Sequence, residues 1–411
     1  MKILIINHFP LEGSGSGIYT KNLARELTKI GHKVKAIFPE NKKVTSKDFE
    51  IRPIMFKGQN SKDFDVDFNF PCFTSHPRSN ITFYQLNKTQ MREYIDIMVR
   101  VTEEEVDKFK PDIIHAQHLW ITPYAAQRTG IPYVVTAHGT DLKGFKQDKR
   151  YHIYALKGAR NARKVITISK QVDKETKELY EIEDERRKII YNGFDTTLFR
   201  VKDVSRKEVL ERFGISEIPD YLVFFAGKLA HFKGVDILLK AAKIYENQIK
   251  EEVMTLIAGN GVMYEELKEL RDFLKLKKTF FLGHVNQDQL VDLYNIADVS
   301  TVPSRSEPFG LVAIEALACG TPVVATNQGG LPDFINEDVG TLVEVEDDIT
   351  LAEAIINELT RADKKERRKR ANEYAIKNFS WENTVREVEK IYREVVNKKI
   401  DCNKISGKSF I

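Results

Sequence analysis

Short runs of β-branched and aromatic residues alternate along the chain with helix-length amphipathic segments, the pattern of a parallel sheet covered by helices. In the first half the strand-like runs are KILIIN (2–7), KVKAIF (33–38), DIIHA (112–116), YVVTA (133–137) and KVITIS (164–169). Helices are predicted over Ile18–Ile30, Tyr84–Phe109, Tyr151–Arg160 and Lys170–Tyr180. The pattern restarts with YLVFFAG (221–227), VMTLIAG (253–259), TFFLG (279–283), DVSTVP (298–303), PVVAT (322–326) and GTLVEV (340–345). These runs lack apolar–polar alternation, which implies burial on both faces. Two α/β domains are expected, joined near residues 196–218. In the tail, Val385, Val388, Ile391 and Val395 recur at helical spacing, so an amphipathic helix needing a partner surface is expected there. Ser380 is its expected N-cap, and the chain after Lys398 is expected to fray.

One helix breaks the amphipathic pattern. From Leu311 to Cys319 every residue is apolar except Glu315. A helix apolar all round is a buried one, and a buried carboxylate without a partner is costly. A carboxylate that accepts from two vicinal hydroxyls is a good way to hold a ribose, and such a ligand would satisfy Glu315 without a cation. Attraction of the acid to the helix dipole is the plainer alternative. Just upstream, SEPFGL ends a strand and opens this helix, so the N–H groups of Gly310, Leu311 and Val312 are expected to be free for an anion.

Two other turns fall at the corresponding strand ends. In FAGKLAHFKG, Lys228 and Lys233 follow the first strand of the second half, where open α/β sheets bind ligands; two ammonium groups there suit a diphosphate. In PLEGSGSGIYT, Gly13, Gly15 and Gly17 fall at alternate positions, unlike the G-x-G-x-x-G dinucleotide fingerprint. A flexible turn and a ligand loop both remain open there.

Length and composition narrow the class. A chain of 411 residues is too long for one ordinary core. The net charge, 64 − 60 = +4, gives no reason to expect nucleic acid. Cys72, Cys319 and Cys402 are far apart and odd in number, which excludes a disulfide framework and a CxxC metal site and points to a reducing compartment. No stretch of 18 apolar residues occurs and MKILIINHFP is too short in its apolar run for a signal peptide, so a cytoplasmic protein without a transmembrane segment is expected. The run DKKERRKR (363–370) reads as a solvated helix face, with peripheral contact to an acidic lipid surface as the alternative.

The motif Glu307-x7-Glu315, with Pro308-Phe309-Gly310 inside and EALACGTPVVAT after it, resembles the signature of the retaining GT-B glycosyltransferases of family 4, group 1. TAHGTDL (136–142), YNGFDTTLF (191–199), GKLAHFKG (227–234), LIAGNG (256–261) and FLGHV (281–285) match in order, so the likeness covers almost the whole chain. The resemblance implies two Rossmann-like doubly wound domains facing a deep interdomain cleft. Residues 1–200 would form the acceptor-side domain, 201–378 the nucleotide-sugar domain, and 379–411 a helix crossing back plus tail. It also implies roles for single residues. Glu315 would bind the donor's ribose, and Glu307 the hydroxyls of the transferred sugar. Lys228 and Lys233 would grip the diphosphate, although the family usually has Arg where Lys228 stands. Phe309, Gly310, Leu311 and Val312 would line the donor nucleotide, with His284 and Val285 beside the base. His138 would contact the donor sugar, and Asp141 would orient it or touch the acceptor. Gly15, Ser16 and Gly17 would form an acceptor or phosphate loop. His115 and His118 are expected to be structural or acceptor-side.

The activity so implied is retaining hexosyl transfer from a nucleotide-diphosphate sugar, UDP before GDP or ADP, to a small polar acceptor such as a sugar, a sugar phosphate or malate. Lipid-linked acceptors remain open, and no metal or cofactor is required. Three competing readings rest on particular residues or on the fold. Asp63, Asp65 and Asp67 in DFDVDF suggest a D-x-D metal site, although the surrounding sequence reads as a long surface loop. Glu40 ends the second strand where a ribose-binding acid of an NAD-dependent dehydrogenase belongs. A nucleotide-sugar epimerase or a sugar phosphorylase would share the fold.

Overall fold

A computed structural model describes residues 1–58 and 63–406, with side chains given through residue 397. The chain forms two compact units, residues 1–192 with the C-terminal helix, and Gly193–Ser380. The divisions fall at 192/193 and 380/381 rather than at 200/201 and 378/379.

The first unit is a seven-stranded parallel sheet of β1 (Lys2–Ile6), β2 (Lys33–Glu40), β3 (Glu50–Met55), β4 (Ile113–Gln117), β5 (Tyr133–Ala137), β6 (Lys164–Thr167) and β7 (Arg187–Ile189). Their spatial order is β3-β2-β1-β4-β5-β6-β7. Its helices are α1 (Gly15–Lys29), α2 (Lys88–Phe109), α3 (Thr122–Arg128), α4 (Thr140–Gln147), α5 (His152–Asn161) and α6 (Lys170–Tyr180). The helix expected from Tyr84 begins at Lys88 instead, because Asn87 caps it by accepting from the Gln90 N–H. The stretch expected to be a long surface loop is largely interior: Phe68, Phe70, Cys72 and Phe73 are buried.

The second unit holds β8 (Tyr221–Ala226), β9 (Val253–Ala258), β10 (Thr279–Gly283), β11 (Val299–Val302), β12 (Val323–Thr326) and β13 (Gly340–Val343). Their order is β10-β9-β8-β11-β12-β13, all parallel. Around them lie α7 (Arg206–Glu211), α8 (Val235–Gln248), α9 (Tyr264–Phe273), α10 (Gln287–Ile296), α11 (Leu311–Ala318), α12 (Asp348–Thr360) and α13 (Lys364–Phe379). The basic run on α13 is not simply a solvated face. Arg367 is 1% exposed and paired with Glu358, and Arg368 donates to the carbonyls of Ala297 (2.6 Å) and Asn295 (2.9 Å). Two of its cations therefore hold α13 to the unit.

The C-terminal helix, α14 (Trp381–Ser406), belongs to the first unit and continues past Lys398, where fraying was expected. Its Trp381, Val385, Val388, Ile391, Tyr392 and Val395 share a core with Leu23 and Leu27 of α1. At roughly 1.5–3 kcal/mol per large apolar side chain, this stripe anchors the helix firmly. His115 of β4 adds a polar tie, with Nδ1 2.5 Å from the Tyr392 hydroxyl and Nε2 2.7 Å from Thr136 Oγ1. Burial pushes the His115 imidazole down to about 3, so it is a neutral structural strut.

Candidate functional site

In the second unit β8 and β11 are neighbours, yet the chain leaves them for opposite sides of the sheet. The carboxyl ends of such a strand pair form the ligand-binding crevice of open α/β sheets. The turn after β8 (227–234) and the turn after β11 (303–310) meet there. Glycine makes the approach possible. Gly234 has φ +68°, and a Cβ on it would lie 1.9 Å from the Pro303 carbonyl oxygen. Gly329 has φ +66°, and its Cβ would lie 1.7 Å from the carbonyl oxygen of Glu307. That same oxygen accepts from the Gly330 N–H at 3.0 Å.

The contact brings Lys233 Nζ to 2.5 Å from Glu307 Oε2. Glu307 is only 8% exposed, so the ion pair sits in reduced dielectric, where its attraction is strengthened. Expected separately as a phosphate grip and a sugar-binding acid, these two residues are direct partners. Lys228 lies exposed in the same turn. Gly310 turns the chain into α11 at φ +107°, and no side chain caps that helix. The first N–H groups of a helix have no intrahelical carbonyl partner, an arrangement that suits an anion. Phe309 instead turns its ring inward, 5.4 Å from that of Phe334. His284 and Val285 follow β10 at the same sheet edge, two strands from β8, with His284 exposed.

Glu315 occupies the second turn of α11. Protein atoms crowd its carboxyl although a window to solvent remains, and among the described residues no side chain or backbone group hydrogen-bonds it. Burial alone pushes it up to about 8. The neighbouring Tyr294 hydroxyl and Cys319 thiol are raised as well, by burial first and then by the Glu315 charge. A carboxyl so placed is poised to ionise when hydroxyl donors arrive.

The first unit repeats the topology, with its switch between β1 and β4. Gly15, Ser16 and Gly17, expected in a loop, form the first turn of α1, because Ser14 caps the helix by accepting from the Gly17 N–H at 3.0 Å. Gly17 is obligatory, since its Cβ would lie 2.1 Å from the Pro10 carbonyl oxygen. His138 is 8% exposed; its Nε2 lies 2.9 Å from Gln117 Oε1, and burial keeps the imidazole neutral. Asp141 is fully buried. It accepts from the backbone N–H groups of Leu119 (2.6 Å) and His138 (3.2 Å), and so fixes the turns carrying His118 and His138. His118 is buried at φ +71° beside it, its ring nitrogens without hydrogen-bond partners among the described residues. Phe73 covers this cluster, its ring 5.3 Å from His118 and 5.4 Å from Trp120.

Glu40, Asp65 and Asp67, which carried competing readings, are otherwise engaged. Glu40 is buried against Arg78, so it does not present a free acid to a ribose. Asp65 accepts from the Met55 N–H at 2.8 Å and Asp67 pairs with Lys57 at 2.6 Å. Among the described residues no group of three or more metal-ligating side chains gathers. No helix among them is long and apolar enough to cross a membrane.

Sequence reasoning missed Arg305. Its guanidinium spans Asp236 and Glu346, far apart in the chain, and its only signal was its place two residues before Glu307.

The family comparisons agree with this architecture. The model for glycosyltransferase family 4 matches residues 13–198, and that for glycosyl transferases group 1 matches residues 210–378. A D-inositol 3-phosphate glycosyltransferase of Acidothermus cellulolyticus is 31% identical over 70% of this chain and 68% of its own. The chain belongs to the group 1, family 4 glycosyltransferases. An uncharacterized glycosyltransferase of Methanocaldococcus jannaschii is 29% identical over 96% of this chain and 98% of its own. The solved structure of Anabaena HepE in complex with UDP and glucose superposes with a TM-score of 0.72 at 21% identity, covering 95% of this glycosyltransferase and 99% of HepE. The fold is GT-B, and the protein is a transferase enzyme.

Proposed function

We infer that this glycosyltransferase moves a hexose from a UDP-sugar to a hydroxyl of a small polar acceptor such as a sugar phosphate, with retention at the anomeric carbon. The observation that carries the reading is Glu315: an acid raised by burial, without a hydrogen-bond partner among the described residues, at the switch point of the second sheet. Two ribose hydroxyls would supply the hydrogen bonds it lacks. The diphosphate would lie on the first-turn N–H groups of α11 and on Lys233, with Lys228 alongside. The hexose would meet Glu307. As the bond from C1 to the diphosphate oxygen breaks, Lys233 and the helix N-terminus stabilise the charge growing on that oxygen. The acceptor oxygen bonds to C1 on the same face, and its proton passes to the departing diphosphate. The reading calls for no metal or cofactor.

Uridine is favoured because HepE, of the same fold, is described with UDP and glucose; the phosphorylated acceptor follows the named activity of the Acidothermus relative. Thermal denaturation with UDP-, GDP- and ADP-hexoses tests the donor. The right one at about 100 times its dissociation constant stabilises by about 2.7 kcal/mol, and no stabilisation by any of them overturns the reading.

A further inference from the structure

We propose that Arg305 is a positioning residue that sets Glu307 against Lys233, an inference that rests on the donor site just described. Its side chain is 14% exposed, and four hydrogen bonds fix it. Nη1 and Nη2 each lie 2.8 Å from one oxygen of Asp236, Nη1 also donates to the His231 carbonyl at 2.7 Å, and Nε donates to Glu346 at 2.6 Å. Its backbone N–H donates to the Phe232 carbonyl at 2.9 Å, and its own carbonyl accepts from Gln328 Nε2 at 3.2 Å.

These bonds join five separate segments: the turn carrying Lys233, the first turn of α8, the turn carrying Glu307, residue 328 after β12, and residue 346 after β13. His231 and Phe232 directly precede Lys233, and Arg305 lies two residues before Glu307. Held from both sides, the two turns present the Lys233–Glu307 pair in one geometry. Burial alone would raise the Asp236 carboxyl, but the hydrogen bonds and charge of Arg305 outweigh it and hold that group below its ordinary value. The planar fork is what the arrangement uses: lysine would keep the charge but could not bridge both Asp236 oxygens while also reaching a carbonyl and a second acid. A group placed about 1 Å off its productive position costs on the order of 100-fold in rate. Of the nucleotide's contacts, Lys233 is the one that Arg305 positions, whereas Glu315 and the α11 N-terminus are not touched by it.

The test uses Arg305→Lys, Asp236→Asn and the double variant in the full chain. The nucleotide-hexose that best stabilises the wild type serves as donor, its slow hydrolysis read as nucleotide release, and binding of the free nucleoside diphosphate is measured by calorimetry. Each single variant should lower kcat by roughly 100-fold while nucleoside diphosphate affinity falls by less than about tenfold, because only Lys233 among its contacts is displaced. The double variant should lose little beyond either single one, as members of one unit do. Should Arg305→Lys fold poorly, Asp236→Asn carries the same expectation. Unchanged kcat in a folded variant overturns the proposal, as does equal loss of nucleotide binding and turnover. Failure of the wild type to bind any nucleotide-hexose overturns the donor reading instead, and is told apart because no variant is involved.

Discussion

The two units place loops at the switch point of the same parallel topology, yet they furnish it oppositely. After β8 and β11 the edge is polar and under-satisfied: an ion pair, an uncapped helix and an acid without a hydrogen-bond donor. After β1 and β4 it is filled. His8 Nδ1 meets the Tyr94 hydroxyl at 2.6 Å, Asp141 serves two backbone N–H groups, and Phe73 lies over the histidines. Both edges leave polar atoms unmet among the described residues, Glu315 in the second unit and the His118 ring nitrogens in the first, so what separates them is access: Glu315 keeps a window to solvent, whereas His118 is fully buried beside Phe73. The contrast also separates stability from binding, since removing a group from the filled edge should cost folding and removing one from the polar edge should cost turnover.

The largest effect is expected on the filled side. Phe73→Ala leaves the rings of Phe83, His118 and Trp120 without their common neighbour and should destabilise by about 3–5 kcal/mol, read in chemical denaturation. At temperatures where the variant remains folded, its affinity for a UDP-hexose should be that of the wild type. A fall in donor affinity as large as the fall in stability would erase the distinction between the edges. Next comes Glu307→Ala, expected to lower turnover by about 100-fold, or ~2.7 kcal/mol of barrier, together with some loss of stability from leaving the largely buried Lys233 unpaired. Turnover near that of the wild type would remove Glu307 from the chemistry.

Much of the polar edge was legible in the chain because its cues are local. The single acid in an apolar helix marked Glu315, the glycine before that helix marked its bare N-terminus, and six β-rich runs matched the six strands of the second sheet. What escaped depends on distant partners or on weak local signals. Strand β3, read as neither element, is EIRPIM, whose charges and proline suit an edge strand and hide it. Helix α4 has glycine at its cap and another inside, Gly144, above which Phe73 packs; a Cβ there would come within 2.8 Å of that ring. The segment around Phe73 reads as a loop because it has no period, yet its aromatic rings are core. Arg305 drew no reading at all, since Asp236 and Glu346 meet it only in the fold.

The central claim is that Glu315 receives the donor's hydroxyls, and the pH dependence of donor affinity tests it most directly. Before binding, the carboxyl titrates near 8; hydroxyls donating to it favour the ionised form, so binding releases a proton. Affinity for a UDP-hexose, measured by calorimetry, should therefore rise by up to about tenfold per pH unit up to the Glu315 pKa and level off above it. Glu315→Gln should flatten the curve and weaken binding at high pH. A wild-type affinity constant from about pH 6.5 to 8.5, or a Glu315→Gln variant that binds as the wild type does throughout, would contradict the account.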